Sequence, residues 1–216
     1  STALAEQLEP GVFLEALNEY FECSAGAVIA HGGEVLRFVG DAVLAIFAIE
    51  PNGEAKSARL ATTAALDSVA RLESLNTARL ERGLTPVDFG LALHLGEVMF
   101  GNIGAAERLE FSVIGPTANL VARLEDLTKA VGERIVVSGE LAQYLLNAVR
   151  PLGDFELRGG HRRYVRVRAG RSLRFLGLSS GTYLLGPVPA FEDTQRLVWQ
   201  VVPGSNYGVN SMGVID

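Results

Sequence analysis

An aspartate between two apolar runs is the first residue of this sequence that could carry out chemistry. Gly40-Asp41 separates residues 34–39 from residues 42–47, and a glycine beside an acid between two alternating apolar runs predicts a β-hairpin. A carboxylate at the tip of two buried strands suits a metal ion, because Mg²⁺ and similar cations prefer oxygen ligands. Aspartate is also common in turns for its local hydrogen bonding, so Asp41 is at this point only a candidate metal ligand.

An amide and a guanidinium share one face of a predicted helix further along the chain. Residues 117–129 have a helical pattern, and Asn119 and Arg123 stand four residues apart, so both project from the same face. An arginine fork binds phosphate or carboxylate in a bidentate manner. The simpler interpretations are a surface amide at Asn119, and at Arg123 a solvated charge or a partner of Glu125 or Glu110.

The elements that must position these side chains are helices and short strands in a mixed order. Apolar spacing predicts helices over residues 10–30, 54–82, 117–129 and 139–148, and strands over residues 34–39, 42–47, 87–95, 98–103, 109–114 and 134–137, with a final hairpin of residues 155–157 and 164–167. This order predicts an α+β domain with helices on one face of a mainly antiparallel sheet.

Composition limits the classes of function. The chain has 216 residues, of which 48% are hydrophobic and 20% charged, and its formal net charge of −6 argues against nucleic acid as a partner. No apolar run is long enough to span a bilayer, so no membrane contact is expected from this segment. The single cysteine, Cys23, allows no internal disulfide and favours a reducing, cytoplasmic setting.

The composition changes after Gly170. Residues 171–216 contain six glycines, three prolines and no lysine, without a helical period. The apolar run of residues 197–202 could form a strand. We therefore divide the chain into a domain of residues 1–168 and a C-terminal extension of unknown role, residues 169–216.

Four stretches, taken in order, resemble the class III adenylate/guanylate cyclase catalytic domain. Each is weak alone, but the ordered set is specific and covers residues 1 to about 168. The stretches are Leu14–Phe21, His31–Asp41, Gly90–Val98 with Gly101–Gly104, and Phe111–Glu125.

The resemblance implies a fold and an activity. The fold would be ferredoxin-like (βαββαβ-type), a mainly antiparallel sheet with helices packed on it. The activity would be that of a phosphorus–oxygen lyase, which converts ATP to 3′,5′-cyclic AMP and pyrophosphate in intracellular signal transduction. Two Mg²⁺ or Mn²⁺ ions held by two aspartates would assist. The site would form between two cyclase domains, as a homodimer or with a related domain, one supplying the metal carboxylates and the other the base-reading and transition-state residues.

The resemblance also assigns roles to single residues. Asp41 matches a metal aspartate, Asn119 the ribose-orienting asparagine, and Arg123 the arginine that stabilises the transition state. Four further residues match substrate-binding positions: Arg37 and Ser112 for the base, and Arg158 and Arg108 for the phosphates. Arg158 could instead be a surface charge at a strand end, and Glu107 could occupy the position given to Arg108.

Two departures from the family pattern carry expectations of their own. The opening strand of the family holds the other metal aspartate in a Phe-x-Asp-hydrophobic-x-Gly-Phe-Thr pattern. It is missing here, because residues 1–6 match the family segment directly after that strand. We therefore expect a first strand missing from the sheet, a gap with unpaired backbone groups, and a two-ion site without its second carboxylate.

Arg37 stands where a lysine is usual, which leaves GTP open as the substrate. The alternatives to an adenylate cyclase are a guanylate cyclase and a catalytically impaired module that binds nucleotide or dimerises.

Overall fold

A seven-stranded sheet forms the centre of the computed structural model, which describes residues 9–105, 108–145, 149–156, 164–170 and 195–204. The elements, in chain order, are α1 (Pro10–Ala30), β1 (Glu34–Val39), β2 (Ala42–Ala48), α2 (Glu54–Glu81), β3 (Asp88–Glu97), β4 (Met99–Ala105), β5 (Arg108–Ile114), α3 (Pro116–Val131), β6 (Ile135–Val137), α4 (Gly139–Ala142), β7 (Val149–Glu156), β8 (Tyr164–Gly170) and β9 (Gln195–Gly204). Within these ranges the strand order is β1-β2-β9-β3-β6-β8-β7, and β4 and β5 form a separate two-stranded sheet. Only β3 and β6 pair in parallel among these described strands, so the predicted mainly antiparallel α+β fold is confirmed.

The helices lie on both faces of the sheet, so the prediction of a single helical face is wrong. Successive strand residues point to opposite faces, and β2 carries apolar residues on both faces. Val43 and Phe47 belong to the apolar cluster that includes α1 and α2. Leu44 belongs to a second cluster that includes Leu124 of α3. Because both faces of the central strands are apolar, both must be covered.

The expected gap in the sheet is not present between the described strands β2 and β3. β9 lies between them and pairs with both in antiparallel fashion. It comes from the C-terminal extension, where the apolar run of residues 197–202 predicted only a possible strand. The backbone groups along β2 and β3 need hydrogen-bond partners in the buried centre of a sheet, and β9 provides them.

The remaining elements differ from the predictions mainly in length. Of the helix predicted over residues 139–148, Gly139–Ala142 is helical and residues 143–145 are not, while residues 146–148 lie outside the described residues. The final hairpin is longer than predicted and comprises Val149–Glu156 and Tyr164–Gly170. No described helix has the length and apolar character needed to span a membrane.

Candidate active site

Asp41 lies in the tight turn between β1 and β2, as the sequence predicted. Val39 pairs with Ala42, so only Gly40 and Asp41 connect the two strands. Gly40 has a φ of 61°, a left-handed conformation that glycine adopts without strain. Asp41 is half-buried. The turn therefore holds one carboxylate at the end of two paired strands.

Helix α3 is fixed to the end of β3 at its first turn. Gly115 has a φ of 140° and Pro116 occupies the first helical turn, where proline needs no hydrogen-bond acceptor. Thr117 is buried, and its Oγ1 donates a hydrogen bond to the Glu97 carbonyl at 2.5 Å. This contact sets the position of the helix that carries Asn119 and Arg123.

Replacing Thr117 with valine tests this attachment. Valine keeps the shape but leaves the Glu97 carbonyl without its donor, so we expect the free energy of unfolding to fall by about 1 kcal/mol. Urea denaturation measures the change. Thr117→Ser keeps the hydroxyl and is the matched control. A valine variant as stable as the original chain would contradict the assigned contact.

Asn119 and Arg123 project from one face of α3, as predicted. Asn119 is exposed and Arg123 is half-buried, so both are accessible from outside the domain. Glu125 Oε1 accepts no hydrogen bond in the described part of the chain, and residues two apart on a helix do not face each other. The interpretation of Arg123 as a partner of Glu125 is therefore not supported by the geometry.

Glu125 is a buried acid that the sequence reasoning considered only as a possible partner of Arg123. It is 3% exposed, and its Oε1 accepts no hydrogen bond within the described part of the chain. Burial raises its pKa to about 7; the positive charge of Lys129 opposes this, and the negative charges of Asp126 and Asp41 add to it. A signal was present in the sequence, since Glu125 follows the buried Val121 by four residues and shares its helix face.

The charge of Asp41 also reaches α1. Burial is the main cause that raises the pKa of Tyr20 well above its ordinary value, and the charges of Asp41 and Glu125 contribute further. Asp41 is thus electrostatically coupled to both α1 and α3. Glu125 belongs to α3, the helix that also carries Asn119 and Arg123.

The other predicted substrate-binding residues are only partly brought together. Arg37 is half-buried in β1 and pairs with Leu44, so it lies on the sheet face that α3 covers. Ser112 pairs with Gly101 in the β4–β5 hairpin, and β5 contacts both β1 and α3. Arg108 pairs with Ala105 at the other end of that hairpin. Arg158 lies outside the described residues.

The described side chains do not make up a complete two-ion site. In the part of the chain that the structure describes, no group of three or more histidine, cysteine, aspartate or glutamate side chains is placed to hold a metal ion. Asp41 is one ligand where such a site needs several oxygen donors. We therefore derive no chemical step through a metal ion.

The chain is similar to known nucleotide cyclases in sequence. The sequence pattern of the adenylate and guanylate cyclase catalytic domain matches residues 1–174. Adenylate cyclase 1 of Rhizobium meliloti (strain 1021) is 32% identical over 160 residues, which is 73% of this chain and 24% of that protein. The adenylate cyclase of Anabaena cylindrica is 31% identical over 144 residues, which is 67% of this chain and 28% of that protein. The chain thus spans about a quarter of the length of these curated relatives.

Solved structures give the same result for the fold. The adenylyl cyclase CyaB from P. aeruginosa has a TM-score of 0.66 and 28% identity, covering 82% of this chain and 91% of that chain. The guanylyl cyclase Cya2 has a TM-score of 0.66 and 26% identity over the same shares of the two chains. With the family pattern matched over residues 1–174, the chain belongs to the adenylate and guanylate cyclase catalytic domain family.

Proposed function

We propose that this chain is the catalytic domain of an adenylate cyclase, which converts ATP to 3′,5′-cyclic AMP and pyrophosphate in intracellular signal transduction. One observation carries the proposal: in this member of the family, Asn119 and Arg123 lie on the same accessible face of α3. The similarity to two adenylate cyclases favours ATP as the substrate.

The proposed reaction depends on orienting the substrate and on stabilising negative charge more than on a covalent catalyst. The ribose 3′-oxygen attacks the α-phosphorus, its proton leaves to solvent, and the bond from that phosphorus to the bridging oxygen of pyrophosphate breaks. Negative charge spreads over the oxygens around the phosphorus as the bond forms. In our proposal the Asn119 amide orients the ribose, and the Arg123 guanidinium stabilises the developing charge.

Other residues would bind the substrate. Asp41 is the proposed carboxylate ligand for Mg²⁺ or Mn²⁺, and Arg37 the proposed contact to the purine, with Ser112 beside it. Arg108 and Arg158 are the proposed phosphate contacts, because an arginine fork matches phosphate oxygens.

A second copy of the chain is the proposed partner. Two large apolar side chains at the end of β1 are exposed, Phe38 at 52% and Val39 at 48%, and Met99 of β4 is 65% exposed. Phe38 and Val39 end β1 beside the Asp41 turn, and Met99 begins β4. Exposed apolar residues of this kind are typical of a protein interface. In our proposal the second copy covers them, and Asp41 of one copy faces α3 of the other.

Product analysis tests the proposal. The protein is incubated with ATP or GTP and Mn²⁺, and cyclic nucleotide and pyrophosphate are measured by mass spectrometry. We expect cyclic AMP and pyrophosphate in equal amounts. Cyclic GMP in place of cyclic AMP would identify a guanylate cyclase, and the absence of both products would refute catalysis.

The regulatory alternative is favoured by one observation, the single carboxylate at the hairpin turn among the described residues. A module of that kind would bind nucleotide without turnover. Calorimetry of ATP binding with and without Mn²⁺ separates the two functions. Metal-independent binding without product supports the regulatory module, whereas metal-dependent binding with product supports the enzyme.

A further inference from the structure

The imidazole of His94 lies in the interior of the domain, on the side of the sheet that α3 covers. His94 is 5% exposed, and Ala92, two residues earlier on β3, belongs to the apolar cluster that includes α3. Residues two apart in a strand share a face, so the His94 side chain faces α3 as well. Both nitrogens of such a ring need polar surroundings, because a buried polar group without a partner is costly.

One ring nitrogen contacts Ser138, the residue between β6 and α4. A hydrogen bond of 2.8 Å joins His94 Nδ1 to Ser138 Oγ, and Ser138 is fully buried. Ser138 is also the N-cap of α4, where its Oγ accepts a hydrogen bond from the Leu141 N–H at 3.4 Å. Its own backbone N–H donates to the Leu93 carbonyl at 3.0 Å. Because Ser138 is fixed to β3 in this way, it fixes the orientation of the His94 ring.

The other ring nitrogen lies at the first turn of α3. A Cβ added to Gly96 of β3 would lie 3.0 Å from His94 Nε2 and 2.8 Å from Thr117 Oγ1. Thr117 belongs to that first turn, and its Oγ1 donates a hydrogen bond to the Glu97 carbonyl. The Nε2 edge of the ring and the Thr117 side chain therefore border the same small space, and α3 can approach β3 so closely because residue 96 has no side chain.

The first turn of α3 determines where the candidate catalytic side chains lie. Asn119 follows Thr117 by two residues, and its N–H donates to the Gly115 carbonyl over a long 3.4 Å. The first turn of a helix has few backbone hydrogen bonds of its own, so its position depends on side-chain contacts. Arg123 is one turn further along the same helix, so a shift of the first turn against β3 would move both residues.

The simpler interpretation of His94 is a buried histidine whose only role is to satisfy Ser138. That interpretation accounts for Nδ1 but assigns no role to Nε2. The position of Nε2 beside Thr117, on the helix that carries Asn119 and Arg123, favours a wider role.

We infer that His94 is a positioning residue of the proposed active site. Ser138 holds the ring on one side, and the Nε2 edge of the ring supports the first turn of α3 on the other. This support fixes Asn119 and Arg123 relative to β3. The inference rests on the proposed function for what Asn119 and Arg123 do, whereas the contacts of His94 are independent of it.

Two amide substitutions separate the two edges of the ring. The amide of His94→Asn ends where Nδ1 lies, next to Ser138, and leaves the place of Nε2 empty, whereas the longer side chain of His94→Gln reaches the place of Nε2. We expect His94→Asn to lower kcat at least about ten-fold and to leave KM for ATP nearly unchanged, because a displaced α3 loses transition-state stabilisation. His94→Gln should keep kcat within about three-fold of the original. Steady-state kinetics measures both.

Two results of these kinetics would overturn the inference. If His94→Gln lowers kcat as much as His94→Asn or more, the contact with Ser138 alone is important. If a folded His94→Asn protein keeps the original kcat, the Nε2 edge does not position α3.

Replacing Gly96 with alanine tests the same contact without changing His94, and it decides the inference if His94→Asn does not fold. The added methyl group must displace Thr117 or the His94 ring, so we expect a fall in kcat of at least about ten-fold here too. Gly11→Ala is the matched control, since a Cβ at Gly11 meets no neighbouring element within 4 Å in the described part of the chain. A Gly96→Ala protein with the kcat of Gly11→Ala would overturn the inference.

Hydrogen exchange tests the position of α3 without catalysis. In His94→Asn the backbone amides of residues 119–121 should exchange at least about ten-fold faster, while those of residues 125–128 in the same helix keep their rates. A histidine with a merely structural role would, on removal, lower the stability of the whole domain. Exchange would then become faster along the entire helix alike, and that result would overturn the inference.

The kinetics and the hydrogen exchange separate failure of the inference from failure of the proposed function. Faster exchange confined to the first turn, in a chain that makes no cyclic nucleotide, supports the contact and refutes the enzyme. Turnover by the original chain, with kcat and exchange unchanged in His94→Asn, supports the enzyme and overturns the inference.

Discussion

Replacing Arg123 with alanine is expected to lower kcat for cyclic nucleotide formation by at least about 100-fold, or about 3 kcal/mol of transition-state stabilisation. The guanidinium is proposed to meet charge that exists only while the phosphorus is pentavalent. Removing an interaction of that kind lowers kcat and leaves KM for ATP nearly unchanged. Arg123→Lys should recover only part of the rate, because an ammonium lacks the planar fork.

The control for this experiment is an exposed arginine away from the site. Arg59 lies on the exposed side of α2, so Arg59→Ala should retain the original kcat. Steady-state kinetics of both variants, with urea denaturation to compare stability, separate a local from a general effect. An Arg123→Ala protein with kcat close to that of Arg59→Ala would exclude the proposed role.

Mixing two inactive variants tests whether the site lies between two chains. Asp41→Asn removes the turn carboxylate and Arg123→Ala removes the guanidinium, so in our proposal each homodimer lacks both sites. A mixed dimer keeps one site with both residues intact. Because half of randomly formed dimers are mixed, activity should return to about a quarter of the original rate. If activity does not return after subunit exchange, Asp41 and Arg123 of the same chain act in one site, and the proposed shared site is wrong.

Replacing Glu125 with glutamine is expected to stabilise the protein by up to about 3 kcal/mol at pH 8. The buried carboxyl has a pKa of about 7 in the folded protein, against 4.5 for an ordinary glutamate. Above pH 7 the folded state must hold a buried negative charge that the unfolded state exposes to water. Glutamine has nearly the same shape and no charge.

The sign of the pH dependence is set by proton binding. Between pH 4.5 and about 7 the folded chain holds a proton on Glu125 that the unfolded chain has released, so stability falls as the pH rises. Below this range both states are protonated, and the variant should match the original chain. Urea denaturation from about pH 4 to about pH 8, with a chelator present, gives the free energy of unfolding of both proteins. Subtracting one from the other cancels the contributions of the other titrating groups. A variant less stable than the original at the upper end of this range would show that the charged carboxylate has a stabilising partner.

The sequence predicted well those features that depend on neighbouring residues. The Gly40-Asp41 turn and the start of α3, predicted at residue 117 and found at Pro116, result from local backbone preferences. The position of β9 depends on pairing between residues 195–204 and strands that lie far earlier in the chain. An apolar run predicts that a strand can form, but neither its partners nor its register.

The burial of Glu125 was missed for a related reason. An acid is rarely buried without a partner, so the residue type argued for a surface position. Its burial results from the packing of α3 across β3 and β6, which the helix pattern alone does not specify. The two-sided packing of the sheet has the same origin, since apolar residues at consecutive positions of β2 and β3 fill both faces.

The central position of β9 has a consequence for biosynthesis. A chain emerging from the ribosome can form α1, the β1–β2 hairpin and α2 early, but the sheet between β2 and β3 cannot close until residue 204 has been made. Until then two edges of buried strands are available for wrong pairing and aggregation. Folding that waits for such a long-range contact is slow, and premature termination before residue 195 would remove a strand from the middle of the domain rather than shorten its end.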